Sequence, residues 1–163
     1  MVRGQGGGDR AAGGERGLLS RILVDADACP VKQIIREEAG GRQVLWFATV
    51  DHEQAEGDNW VKVAKGPDAV DHALYGALRP GDVVVTQDYG LAALCLGRRA
   101  RALHPDGRIY TEASMPALLE ERYLAARVRR AGGRTKGPRP RTAEDDRRFR
   151  AALREVLEAP PAP

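Results

Sequence analysis

Short β-branched and aliphatic runs alternate along the chain with stretches whose apolar residues recur at helical spacing. Residues 21–24, 44–50, 60–64 and 82–86 read as strands. The second of these shows almost no alternation, as expected for a strand covered on both faces. Helical segments are predicted over 31–39, where Pro30 opens the first turn and Gly40-Gly41 stops it, and over 67–78, where Val70, Ala73, Leu74 and Ala77 share a face. A third spans 89–96 and a fourth 115–130, capped by Ser114 with Leu118, Leu119 and Val128 on its buried stripe. Two short extended pieces, 101–103 and 108–110, flank a His104-Pro105-Asp106-Gly107 turn. Thr142, with Asp145 three places on, forms a capping box for a last helix through Glu158. Strands alternating with helices predict a three-layer α/β domain around a mostly parallel central sheet, with C-terminal helices. In such a fold ligands bind outside the carboxyl ends of the strands.

At 163 residues the chain suits a single domain. Residues 1–17 hold seven glycines and few apolar side chains, and are expected to form a disordered tail; 18–158 form the domain, and 159–163 a frayed Pro-rich end. No apolar stretch approaches a membrane span and no signal-like segment opens the chain. Two cysteines, Cys29 and Cys95, make neither a zinc cluster nor a disulfide framework. The expectation is a soluble, reduced, cytoplasmic protein without a membrane partner; oligomeric state is not readable.

The strand-end rule selects the acids that matter. Asp25 and Asp27 leave the first strand, and i, i+2 residues of extended backbone share a face. Asp88 directly follows the fourth strand. Asp68 and Asp71 open the helix after the third, where Asp68 is also an N-cap candidate. Asp82 begins its strand and belongs at the opposite edge. Two carboxylates about 4 Å apart repel by roughly 4 kcal/mol at an effective dielectric near 20. Protons, basic partners or divalent cations must offset that. Oxygen-only ligands favour Mg²⁺ or Mn²⁺, the equipment of phosphodiester hydrolysis.

Charge adds a second clue. Residues 122–141 carry eight Lys/Arg and no acid, whereas 18–121 carry eleven basic and sixteen acidic residues. Within the basic Gly/Pro loop 131–141 and the helix end before it, Arg129, Arg130, Arg134, Lys136, Arg139 and Arg141 are the candidate nucleic-acid contacts. Six phosphate contacts would give a salt slope of roughly −4 to −5. The competing reading places some of these arginines in intramolecular ion pairs. Cys29 and both tryptophans, Trp46 and Trp60, read as packed residues, and His72 as a solvent-facing helical histidine.

Three groups of residues carry a family resemblance. They are Val24-Asp25-Ala26-Asp27-Ala28-Cys29-Pro30, then Ala69-Val70-Asp71, then Gly81-Asp82-Val83-Val84-Val85-Thr86-Gln87-Asp88-Tyr89-Gly90. Together with Arg134-Thr135-Lys136-Gly137-Pro138 they resemble the YaiI/YqxD family of bacterial proteins over about residues 21–157. That family is similar, more distantly, to PIN-like metal-dependent nucleases. The resemblance implies catalytic and metal-binding roles for Asp25, Asp71 and Asp88, support from Asp27 and Asp68, with Asp27 also a metal ligand, and a site hydroxyl from Thr86. The expected activity is Mg²⁺- or Mn²⁺-dependent cleavage of nucleic acid, RNA first. The alternative is a non-catalytic RNA- or ribonucleoprotein-binding module with a vestigial acidic pocket. A haloacid-dehalogenase-like phosphatase, suggested by Asp25-Ala26-Asp27, lacks a suitably placed late lysine and late strand-end acids.

Overall fold

A computed structural model describes residues 19–50, 59–135, 137 and 139–159. The expected tail, most of the 51–59 loop, Lys136 and the residues beyond Ala159 lie outside the described residues. In chain order the elements are β1 (Ile22–Asp25), α1 (Lys32–Glu38), β2 (Val44–Thr49), β3 (Asn59–Val63), α2 (Ala69–Ala77) and β4 (Val83–Val85). They continue with α3 (Tyr89–Gly97), β5 (Arg101–Leu103), β6 (Ile109–Tyr110), α4 (Met115–Arg130) and α5 (Ala143–Glu158).

The strands form one sheet in the order β3-β2-β1-β4-β5-β6. Every pairing is parallel except β5 with β6. The chain builds outward from β1 through β2 to β3, then returns to pair β4 on the other flank of β1. The β1/β4 boundary is therefore the switch point where a doubly wound sheet opens a crevice.

Alternation along the two central strands sorts their side chains into two layers. Ile22, Val24, Val83 and Val85 point into a core shared with Ile35 of α1 and Phe149 and Leu153 of α5. Leu23 and Val84 point the other way, onto Leu74 of α2 and Leu91 of α3. All of these are buried. Ion pairs tie α5 to α1, with Arg150 and Arg154 both holding Glu38, at 2.6 and 2.7 Å. Trp46 is buried and stacks on Trp60, with centroids 5.6 Å apart.

Three local expectations are corrected. Ser114 makes no cap to α4; its hydroxyl instead exchanges hydrogen bonds with Thr111 at the preceding turn. Asp68 precedes α2 but does not cap it, because its backbone is left-handed (φ 56°). Finally, α4 buries Met115 and packs Leu118 partly, while Leu119 and Val128 stand exposed beside Tyr123 and Leu124. The Thr142/Asp145 capping box is present, with Thr142 Oγ1 accepting from the Asp145 N–H and Asp145 accepting from the Thr142 N–H. Among the described residues no helix is long and apolar enough to cross a membrane.

Candidate functional site

Asp25 is the last residue of β1 and Thr86 the first beyond β4. Val24 pairs with Val85 in the parallel register, so the next residues along, Asp25 and Thr86, stand side by side on the face of α2 and α3. Thr86 is buried, and its hydroxyl donates to Asp25 Oδ2 at 2.9 Å while accepting the Asp88 N–H at 3.0 Å. Tyr110 of β6 donates its hydroxyl to the Thr86 carbonyl, holding the tip of β4 from the other side. One threonine thus fixes both strand-end acids relative to each other.

Asp88 turns the chain into α3, its Oδ1 accepting the Leu91 N–H at 3.0 Å. Asp71, in the first turn of α2, lines the same cavity as Asp88. Burial first, then the charges of Asp88, Asp25 and Asp68, push the Asp71 carboxyl up to about 6. Burial also raises Asp25 against the opposing Thr86 hydrogen bond, with Asp27 and Asp88 adding to the rise. These mutual effects place Asp25, Asp71 and Asp88 in one electrostatic unit built from three separate chain segments.

A cavity of about 380 Å³ opens over Asp68, Asp71 and Asp88. Its rim carries Arg122 of α4, whose Nη1 stands 3.5 Å from Asp88 Oδ1. Gly90 leaves room for that guanidinium: a Cβ there would lie 2.6 Å from Arg122 Nη1. Asp27 sits beside the cluster, its carboxylate accepting the Thr49 N–H at 3.2 Å and so tethering the end of β2. Ala28 and Asp68, both in left-handed backbone, flank the cluster. Such conformations cost a non-glycine residue energy and concentrate at functional sites.

The donor set is oxygen-only and suited to a hard divalent cation. Among the described residues, however, no group of three His, Cys, Asp or Glu side chains is drawn together as a ready metal site.

Among the basic candidates, Arg139 donates twice to Asp145, at 2.7 and 2.9 Å, and Arg141 Nε donates to Asp146 at 2.8 Å. Arg129 and Arg130 occupy the last turn of α4 and, with Arg134, are exposed without an ion pair among the described residues. Asp82 lies at the opposite edge of the sheet, held by Arg21 at 2.7 Å. Cys29 and Cys95 are buried, and burial pushes both thiols up, Cys95 to about 12. His72 is exposed but lines the acidic cavity.

The family model described as "Uncharacterized BCR, YaiI/YqxD family" matches residues 23–159. The chain belongs to the YaiI/YqxD family. Similar curated relatives, each named "UPF0178 protein", come from several bacteria. The one from Lachnoclostridium phytofermentans is 44% identical, covering 85% of this chain and 97% of its own. That from Heliobacterium modesticaldum is 46% identical over 84% and 96%. That from Bacillus anthracis is 43% identical over 84% and 98%. No solved structure matches the chain. The YaiI/YqxD match therefore spans both the acid-bearing strand ends and the basic segment leading into α5.

Arg122, Tyr89 and His104 were not singled out by the sequence as site residues. The strand-end rule could have found His104, which directly follows β5. Alternation could have found Gln87 and Tyr89, which flank Asp88. Arg122 opens the basic run 122–141, but only tertiary packing brings it from α4 to Asp88.

Proposed function

We propose that this YaiI/YqxD protein is a divalent-metal-dependent nuclease acting on RNA, with Asp25, Asp71 and Asp88 as its catalytic acids. The observation that carries the reading is the pairing of Asp25 and Asp88 through Thr86 at the β1/β4 switch point, with Asp71 of α2 lining the same cavity as Asp88. The resemblance to PIN-like nucleases noted in the sequence points the same way. A Mg²⁺ or Mn²⁺ held by Asp71 and Asp88, with Asp25 or Asp27 drawn in, would supply Lewis acidity and a readily ionised water.

The chain's own groups divide the remaining work. Thr86 occupies one oxygen of Asp25 and anchors the Asp88 backbone, so both acids are presented by a rigid strand end. Asp71, in the first turn of α2, lines the same cavity as Asp88 and joins it in holding the ion. Arg122 is placed to offset charge on a phosphate brought to Asp88. Arg129, Arg130 and Arg134 supply a basic approach for the strand.

Purified protein is expected to cleave single-stranded RNA with Mn²⁺, and Asp88→Asn to abolish cleavage. Activity that survives in both Asp25→Asn and Asp88→Asn protein would end the proposal.

The second reading, a non-catalytic RNA- or ribonucleoprotein-binding module, is favoured by one observation: no three acids are already gathered for an ion among the described residues. It predicts RNA retention without turnover, and no Mg²⁺ uptake at millimolar concentration by calorimetry.

A further inference from the structure

Alternation at the tip of β4 has a second product. Asp88 and Gly90 line the acidic cavity, whereas Gln87 and Tyr89 line another, also of about 380 Å³. This second cavity lies above the α1/α5 layer and is walled further by His104, Arg108, Arg139 and Arg141, with the carboxylates Asp106 and Asp145 also in its lining. Its three guanidiniums come from the turn before β6 and the segment before α5. None is saturated. Arg108 holds Asp106, Arg139 holds Asp145 and Arg141 holds Asp146, but a guanidinium carries five N–H donors. Arg141 Nη2 is shut off from solvent and has no acceptor among the described residues.

The remaining wall is aromatic. Tyr89 tilts against His104 with centroids 6.3 Å apart, meets Tyr110 edge-on at 5.8 Å, and carries Arg108 over its ring at 5.7 Å. His104 Nδ1 stands 3.0 Å from the Asp106 backbone nitrogen and 2.9 Å from Asp106 Oδ1, so Asp106 fixes the ring at the cavity wall. A cavity with surplus donors, three cations and a π-bearing wall calls for an anionic, acceptor-rich ligand with a flat face. Its volume lies in the range of small-ligand sites.

We propose that this cavity binds a nucleoside monophosphate moiety, with the phosphate on Arg108, Arg139 and Arg141 and the base against Tyr89. Adjacent residues stand about 3.8 Å apart at Cα, so the Tyr89 cavity and the Asp88 cavity open on the two sides of one strand tip. Resting on the nuclease reading, the occupant is the phosphorylated end of a single strand whose adjoining phosphodiester reaches the acids. The protein would then act from strand ends.

The test is binding in EDTA, where cleavage plays no part. Calorimetry with 5′-AMP is compared with the affinities of one RNA oligonucleotide carrying a 5′-phosphate, a 3′-phosphate or no terminal phosphate. The expected result is AMP binding with amide shifts at residues 87–89 and 104–108, and at least tenfold preference for one phosphorylated end. Arg108→Ala and Arg141→Ala should each remove most of that preference. Arg79→Ala, the same charge change at an exposed position across the sheet, should keep it. Thermal unfolding of each variant separates lost binding from lost fold, and Arg108→Lys, which keeps charge without the fork, should fall between. AMP binding with no preference among the oligonucleotides would support the nucleotide cavity but overturn strand-end anchoring. Neither AMP binding nor end preference would overturn the proposal outright, whatever Asp88→Asn does to cleavage.

Discussion

Asp71 keeps its proton to about pH 6 because burial and the charges of Asp88, Asp25 and Asp68 all disfavour its ionised form. In the unfolded chain that proton leaves near pH 4. Between those values the folded state binds a proton that the unfolded state has lost, so stability falls as pH rises through this window and stays reduced above it. Asp71→Asn keeps the shape of the side chain and removes the charge. In EDTA its melting temperature should exceed that of the unaltered protein at pH 7, and the gap should close by pH 4. An equal gap at both pH values would mean that charge is not the cause. At this scale the sequence was informative where an acid lies at or just past a strand end: Asp25 ends β1, and Asp88 follows β4 by three residues and caps α3. It misled at Asp68, whose left-handed φ turns an apparent cap away from its helix.

Among the elements, α5 is specified locally and α4 is not. Thr142 and Asp145 satisfy each other's backbone N–H groups, and the residues behind them, Phe149, Ala152, Leu153 and Val156, are buried. Thr142→Ala removes one of those acceptors and should cost about 1 kcal/mol, read as a lower denaturant midpoint at unchanged slope. The same kind of periodicity in α4 was misleading. An apolar stripe establishes a face, not a neighbour, and beyond Met115 and Leu118 little of the molecule lies against that face. Helix α1 and the short strands β5 and β6 were readable because Pro, Gly and a turn sequence punctuate them.

The whole molecule divides its charge, and the structure alters what that division means for a polyanion. Arg139 and Arg141 already hold Asp145 and Asp146, so their engagement with a strand is offset by the carboxylates beside them. Arg129, Arg130 and Arg134 carry no such partner among the described residues. For single-stranded RNA three contacts give a slope of log K against log salt near −2, about half the value for all six basic candidates. Replacing these three by Ala should make the slope shallower by about 2, and an unchanged slope would remove the segment from the interface. The mostly parallel sheet between helical layers was legible in advance, because strand and helix signals alternate along the chain; the strand order was not. What was not legible was the second chamber, since its walls come from residues far apart in sequence.

That chamber and the acidic one hang on a single parity. From Val83 to Asp88 the chain assigns odd-numbered side chains to one layer and even-numbered ones to the other, with Thr86 buried as the pivot and Tyr89, opening α3, on the side of Gln87. Losing or gaining one residue between Val85 and Tyr89 would transpose the two: the tyrosine would face the carboxylates and the aspartate the guanidiniums. Length in this tip is therefore constrained more tightly than composition, and neither chamber can be moved without moving the other.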